Sequence, residues 1–337
     1  PRRPGAGRRR AGPRPRPVND NRLIVARLRR VLPWLVTAAL LFVIFRKISF
    51  GQLVAATRTA APWTIPACVA GVLAIYLADS FAIWKTFGWF LAPLTYGQVL
   101  VVRGATYLLA AINYNVGQGA IVYFVHRATG APVLRGVATV LLIMGVNVLA
   151  LLALASVGVA TAPEVPHAMT VVVGVAYAGL AVYAVTVALK PRWLAQRPIF
   201  DVLLGAGLAG HARALLVRVP HIVVLIAFQI AMLRAFGVAV PVTQAIVALP
   251  IVLFIAVLPI SVQGLGTTQY AMKLFFARYA PGDAQAQEAA VVAASLFAQA
   301  LATMTQVLLG LACLRSRTGR ELKEAAAASA ATKAAAG

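Results

Sequence analysis

Charge is scarce in this chain, and negative charge is scarcer still. Only 12% of its 337 residues are charged, with 8 Asp plus Glu against 31 Lys plus Arg, whereas soluble domains carry roughly 25% charged residues. With 61% hydrophobic residues and a mean hydropathy of +0.85, a water-soluble enzymatic domain is excluded and an integral membrane protein is implied. The shortage of acid also removes paired-carboxylate chemistry, because acid–base catalysis needs two positioned titratable groups. Seven of the 8 acidic residues sit in tails, in loops or at span ends, and only Asp79, in YLADSFAIWK, lies well inside an apolar stretch.

Other absences narrow the field further. The 2 cysteines, Cys68 and Cys313, each lie in an apolar stretch without CxxC or a His/Cys cluster, so a disulfide scaffold and structural zinc are both excluded. Each reads as a small buried hydrophobe. Among the 4 histidines, His126 and His221 fall near membrane boundaries and His167 and His211 in loops, with no HExxH spacing. No GxSxG elbow and no GxxxxGK[ST] loop occurs, and Gly117-Gln-Gly119 and Gly264-Leu-Gly266 lack the third glycine of GxGxxG. No catalytic residue, metal or cofactor is expected.

Positive charge is what the chain does have, a net +23, and its placement excludes a nucleic-acid partner. Eleven arginines lie between Arg2 and Arg30, opposed only by Asp20, and abut the first apolar stretch. That is a cytoplasmic anchor against anionic lipid, the positive-inside signal. The basic run is about thirty residues long with no small-residue cleavage site after Phe45, unlike a signal peptide, so the first span is retained. Beginning at Pro1 rather than Met, the sequence is expected to be a trimmed or partial chain. Three regions follow: residues 1–30, a basic, disordered cytoplasmic tail; 31–314, a transmembrane domain; and 315–337, an Ala-rich cytoplasmic tail.

Spanning the hydrocarbon takes about 20 apolar helical residues. Six stretches approach or meet that length, 31–46, 62–84, 137–160, 168–189, 219–236 and 287–313. Two more are interrupted, one after Ile112 at Asn113-Tyr-Asn-Val-Gly-Gln-Gly119, the other after Leu258 at Pro259-Ile-Ser-Val-Gln-Gly-Leu-Gly266. Such breaks free backbone amides, which is tolerated only against protein or a water-filled cavity. The arms after the breaks are short, about 8 and about 14 residues, so at ~1.5 Å per residue they reach only part way back. The fold predicted is an all-α polytopic transmembrane helix bundle of about six full spans plus two re-entrant broken hairpins.

Loop charge fixes its orientation. The 190–218 connection, with Lys190, Arg192, Arg197, Arg213 and Arg218, and the tail from Arg315 belong inside; 161–167 and 280–288, which carry Glu164, Asp283 and Glu288, belong outside. Both termini are then cytoplasmic, the first hairpin enters from the cytoplasm and the second from outside. Only the 47–61 loop, with Lys47 and Arg58, is discordant. Broken hairpins from opposite faces are the architecture of transporters whose discontinuous helices meet at the midplane, although no sequence repeat between the halves is evident.

A carboxylate in hydrocarbon costs ~2.5–3.5 kcal/mol on insertion scales, so Asp79 should face the bundle interior with a partner. Arg103 and, nearer the helix end, Lys85 are the cations to consider. At the breaks, the paired glycines offer close backbone approach and amides for an anion, with Arg127 or Lys273 supplying charge to a phosphate headgroup. The competing reading of the same glycines is helix contact through small residues.

At these two breaks the sequence resembles the transmembrane region of the lysylphosphatidylglycerol synthase family, a large group of bacterial and archaeal membrane proteins. The likeness rests on INYNVGQGAIVYFVHRATG (112–130), similar to the family's Asn-then-Gly block closing in a basic residue and Gly, and on LPISVQGLGTTQY (258–270), similar to its Pro-x-Gly-[Leu/Ile]-Gly block. Asp79 stands where the family often has an aspartate before an aromatic-rich helix end, and the span order extends the likeness over roughly 28–315. Gln269 replaces a frequent Glu, and Ile121 to Val125 lack a frequent Arg.

The resemblance implies a multi-pass protein of the bacterial inner membrane that binds and translocates (flips) a lipid or lipid-linked headgroup. The soluble aminoacyl-transfer domain of the synthases is absent from this sequence. Candidate substrate-binding residues are Asp79, Arg103, Asn113, Asn115, Gly117, Gly119, Arg127, Pro259, Ser261, Gln263, Gly264, Gly266, Gln269 and Lys273. The implied partners are membrane lipids with anionic or lipid-linked headgroups, with a homo-oligomer or a lipid-enzyme partner open. The alternatives are a membrane-embedded transferase acting on a lipid-linked sugar or aminoacyl donor, and a non-transporting scaffold for a lipid enzyme.

Overall fold

The computed structural model describes residues 50–316 except 59, 113, 162–166, 258–260 and 262–263, together with Leu35 and Phe42. Among these residues the fold is all-α. The helices are α1 (Phe50–Arg58), α2 (Thr64–Phe90), α3 (Tyr96–Ile112), α4 (Tyr114–Thr129), α5 (Val133–Thr161), α6 (His167–Leu189), the short α7 (Arg192–Ala195) and α8 (Pro198–Gly205), α9 (Gly207–Ala235), α10 (Val242–Val257), α11 (Thr267–Phe276) with a 3-10 turn at Ala277–Tyr279, and α12 (Ala284–Arg315).

Among the described residues five helices are long and apolar enough to cross a membrane: Thr64–Phe90, Val133–Ala160, Thr170–Leu189, Gly207–Ala235 and Ala284–Arg315. The chain is a multi-pass membrane protein. The sixth expected span, 31–46, lies outside the described residues save Leu35 and Phe42, both helical. Exposed Trp63 and Trp89 bracket α2, a separation of about 39 Å at ~1.5 Å per residue, close to a bilayer with its headgroups. They sit where an aromatic belt belongs. Along α6, Val171, Val175, Val182 and Val185 are exposed, a face suited to lipid and unsuited to water.

Two sequence expectations need correction. The stretch 114–119 is the first turns of α4 and not irregular backbone, and α4 runs for 16 residues, about 24 Å, so the first hairpin nearly reaches across the hydrocarbon. The reason is visible at Gly117. A Cβ there would meet Ala110 Cα at 2.9 Å, so this glycine brings the backbones of α3 and α4 together and does not open amides to a ligand. The other correction concerns α9, which starts well before the expected span at 219 and carries His211, Arg213 and Arg218 inside the helix.

Of the second break, 259–260 and 262–263 lie outside the described residues. Gly264 (φ 74°) and Gly266 (φ 82°) adopt left-handed backbone before α11, a conformation that costs glycine nothing and other residues a good deal.

The packing of the helices has an internal order. Exchange α2 with α9, α3 with α10, α4 with α11 and α5 with α12, and the packing pairs map onto one another. Thus α3 on α12 becomes α10 on α5, α2 on α12 becomes α9 on α5, α2 on α5 becomes α9 on α12, and the two hairpins interchange, while α2 on α9 maps onto itself. Because α2, α5, α6 and α9 each cross the membrane, α2 and α9 run in opposite senses. The two halves are therefore inverted relative to each other, the arrangement typical of many transporter scaffolds. Glycine marks equivalent crossings in both halves. A Cβ at Gly310 of α12 would lie 3.0 Å from the Gly104 carbonyl of α3, and one at Gly158 of α5 would strike the Val247 carbonyl of α10.

These crossings can be tested. At Gly158→Ala the new methyl meets a backbone carbonyl and Ile251 Cδ1 at 2.8 Å, so melting in detergent should show a loss of ~1–3 kcal/mol. Gly145→Ala in the same helix meets nothing within 4 Å and should be neutral or gain up to ~1 kcal/mol. Equal melting of the two variants would refute the crossing.

Candidate functional site

Asp79 lies in the middle of α2, 2% exposed, and two cations from different helices meet it. Arg103 of α3 donates from Nε to Asp79 Oδ2 at 2.6 Å, and Arg218 of α9 donates from Nη1 to Asp79 Oδ1. Arg218 also donates from Nε to Asn147 Oδ1 of α5 at 3.0 Å. Four helices thus converge on one carboxylate, three from one half and α9 from the other.

The surroundings hold the two cations in place. The Arg103 guanidinium stacks 4.9 Å above the Tyr107 ring, one turn further along α3. Tyr107 in turn packs at 5.9 Å on Tyr76, whose hydroxyl donates to the Leu100 carbonyl at 2.6 Å. His221, one turn beyond Arg218, is 8% exposed with Nδ1 buried and unpartnered. Between α2, α3 and α4, Arg103 lies among apolar side chains such as Ile83, Phe87 and Val125, with no space between them for a water.

Electrostatically the cluster is unbalanced. One carboxylate faces two guanidiniums, so a net positive charge is buried at membrane depth. Such a charge is expensive in hydrocarbon, which makes this cluster the candidate site.

The other predicted residues fall into two separate groups, because α4 packs on α3 and α5 while α11 packs on α10 and α12. At the first hairpin, Asn113 lies outside the described residues and Asn115 is in the first turn of α4. Gly119 faces open space. Arg127 sits at the far end of α4, 5.4 Å from the Tyr123 ring, with Nη1 buried and without a partner.

At the second hairpin, Pro259 and Gln263 lie outside the described residues. Ser261 Oγ and Thr267 Oγ1 are 2.8 Å apart, and Thr267 Oγ1 donates to the Gly264 carbonyl at 3.0 Å. Gln269, fully buried, accepts from the Gly266 N–H at 2.7 Å and donates to Gln299 Oε1 at 2.9 Å. Lys273 pairs with Glu288 at 3.1 Å. These bonds satisfy the polar groups at the start of α11 and tie the helix to α12.

Lys85 is not a partner of Asp79; its ammonium sits 4.2 Å above the Trp84 ring. Arg218, the second partner of Asp79, and Asn147, which accepts from Arg218, were missed by sequence reading. Arg218-Val219-Pro220-His221 interrupts the apolar run, and Pro220, which has no N–H to donate to the ladder, looks like a helix boundary. The available signal was the unmatched buried charge of Asp79, which calls for every cation within reach.

No family model matches the chain, and no curated protein matches it.

The hub of the cluster is testable by melting. Asp79→Asn leaves two buried guanidiniums without a counter-charge and should cost ~3–5 kcal/mol. Arg218→Gln leaves Asp79 paired to Arg103 and should cost clearly less. Adding Arg103→Gln to Asp79→Asn should restore part of the loss. A larger effect for Arg218→Gln than for Asp79→Asn would move the hub away from the carboxylate.

Proposed function

We propose that this protein binds a lipid or lipid-linked headgroup within the membrane and translocates it between leaflets. The observation that carries the reading is the buried, charge-unbalanced cluster of Asp79, Arg103 and Arg218 lying between α2 and α9, the pair that relates the two inverted halves. Rocking of inverted halves about a shared site is how many secondary transporters give alternating access. A polar group able to meet a headgroup part way across hydrocarbon is what lipid translocation needs. The resemblance of 112–130 and 258–270 to the lysylphosphatidylglycerol synthase transmembrane family supports the same reading. Asp79 is doubly paired, which argues against its use as the general base of a transferase.

On this reading the protein resides in the bacterial inner membrane with cytoplasmic termini. Arg127 and Lys273, in the two hairpins apart from the cluster, are further contacts for a headgroup on this reading, and Lys273 becomes available only when Glu288 releases it.

Translocation is tested by reconstituting the chain into vesicles containing fluorescent lipids and following leaflet exchange by dithionite quenching. Exchange should exceed that of protein-free vesicles for at least one headgroup and fall at least about tenfold in Asp79→Asn, a change of about 1.4 kcal/mol. No exchange for anionic, zwitterionic or glycosylated lipids would overturn the proposal.

Orientation is tested separately in a cysteine-free background. Pro281→Cys should react with an impermeant maleimide in intact cells and Arg192→Cys should not, because the basic loop belongs inside. The reverse pattern would invert the topology.

A further inference from the structure

We propose that the headgroup taken at this site carries a phosphate, that Arg103 and Arg218 are its ligands, and that Asp79 stands in for it while the site is empty. This rests on the translocation reading above and names its substrate class. Two guanidiniums from different helices converge on the two oxygens of one carboxylate, each oxygen taking one of them. Non-bridging phosphate oxygens accept guanidinium N–H groups as carboxylate oxygens do.

Charge selects the class. The cluster carries one negative and two positive groups, so a singly charged phosphodiester would complete its neutralisation, whereas a cationic headgroup would meet like charge. Hydrogen-bonding capacity points the same way. The bonds to Asp79 and Asn147 account for only a minority of the five N–H groups that each guanidinium carries. His221 is more than nine-tenths buried on the Arg218 face of α9, and its Nδ1 has no partner in the closed cluster. With the other ring nitrogen on the Ile75 carbonyl, Nδ1 carries a lone pair and would accept from a headgroup hydroxyl, not from a phosphate oxygen.

The stand-in role follows from depth. Two arginines cannot remain unpaired in an apolar bundle between transport events, so the resting protein supplies its own anion. A phosphate entering as the halves part at α2 and α9 takes over Arg218, the ligand contributed by the opposite half, and returns it to Asp79 on leaving. No proton or covalent bond need change hands.

The test reads thermal stability of the full chain in detergent against three probes: phosphatidylglycerol, diacylglycerol without phosphate, and inorganic phosphate. Asp79→Asn, lacking its internal anion, should be stabilised by phosphatidylglycerol at a concentration about tenfold lower than wild type requires, because no resident carboxylate competes. Diacylglycerol should have no effect on either. Should Asp79→Asn fail to fold, wild type is compared with Arg218→Gln, which keeps the Asp79–Arg103 pair. Wild type should show saturable stabilisation by phosphatidylglycerol, and Arg218→Gln should need at least about tenfold more.

Equal stabilisation by diacylglycerol and phosphatidylglycerol, or identical titrations of wild type and Arg218→Gln, would overturn the proposal even if leaflet exchange is observed. Inorganic phosphate acting as well as phosphatidylglycerol would keep the phosphate chemistry, assign the site to a soluble phosphate, and overturn the lipid reading instead.

Discussion

A carboxylate bonded to two guanidiniums inside an apolar bundle constrains everything around it. None of the three groups can face lipid, so α2, α3 and α9 must turn their charged faces toward one another. The Arg218 bond to Asn147 then recruits α5 to the same point. The Arg218–Asp79 bond is also a polar tie between the halves, because α2 belongs to one and α9 to the other. In hydrocarbon, where helices gain little from excluding water, such polar contacts and close small-residue packing are what hold helices in register. The cluster does the first, and the crossings at Gly104 with Gly310 and at Gly158 do the second.

Those two crossings divide the labour of the scaffold. In each, a glycine near the C-terminal end of a long span lies against a backbone carbonyl of the first hairpin arm of the opposite half. Each hairpin is thus braced by a helix that is not its sequence neighbour, and neither half can bury its hairpin alone. The second arms are braced differently. The first hairpin packs α4 on α3 with Gly117 against Ala110, whereas the second turns through two left-handed glycines and closes with a network running from Ser261 to Gln299.

Much of this was legible in the sequence where length alone decides. The spans at 62–84, 137–160, 168–189 and 287–313 reappear with ends shifted by up to six residues, because twenty apolar residues admit few alternatives in a membrane. Asp79 and Arg103 could be paired in advance, since a lone intramembrane acid needs a cation. Arg218 could not be placed by hydropathy, which sees a charged residue beside a proline and ends the helix there. Gly117 and Gly264 read alike as sequence, but one is spent on close packing and the other on positive φ. Only the position of the opposing backbone tells them apart. The packing exchange of the halves left no sequence repeat to find, because helix packing constrains size and spacing more than identity.

That divergence has a consequence for the site. The equivalent crossings match Gly104 of α3 with Val247 of α10, so Arg103 corresponds to Ile246, an exposed apolar residue. The exchanged half therefore has no second arginine at the matching place. The packing is symmetric and the charge is not. On the proposed reading this asymmetry is what makes one site serve two faces. A scaffold with the whole cluster repeated in each half would hold two headgroup positions at different depths, each nearer one surface. A single cluster on α2 and α9, the pair that the exchange maps onto itself, keeps its depth when the halves rock in either direction, and so can meet a headgroup from each leaflet with the same three side chains.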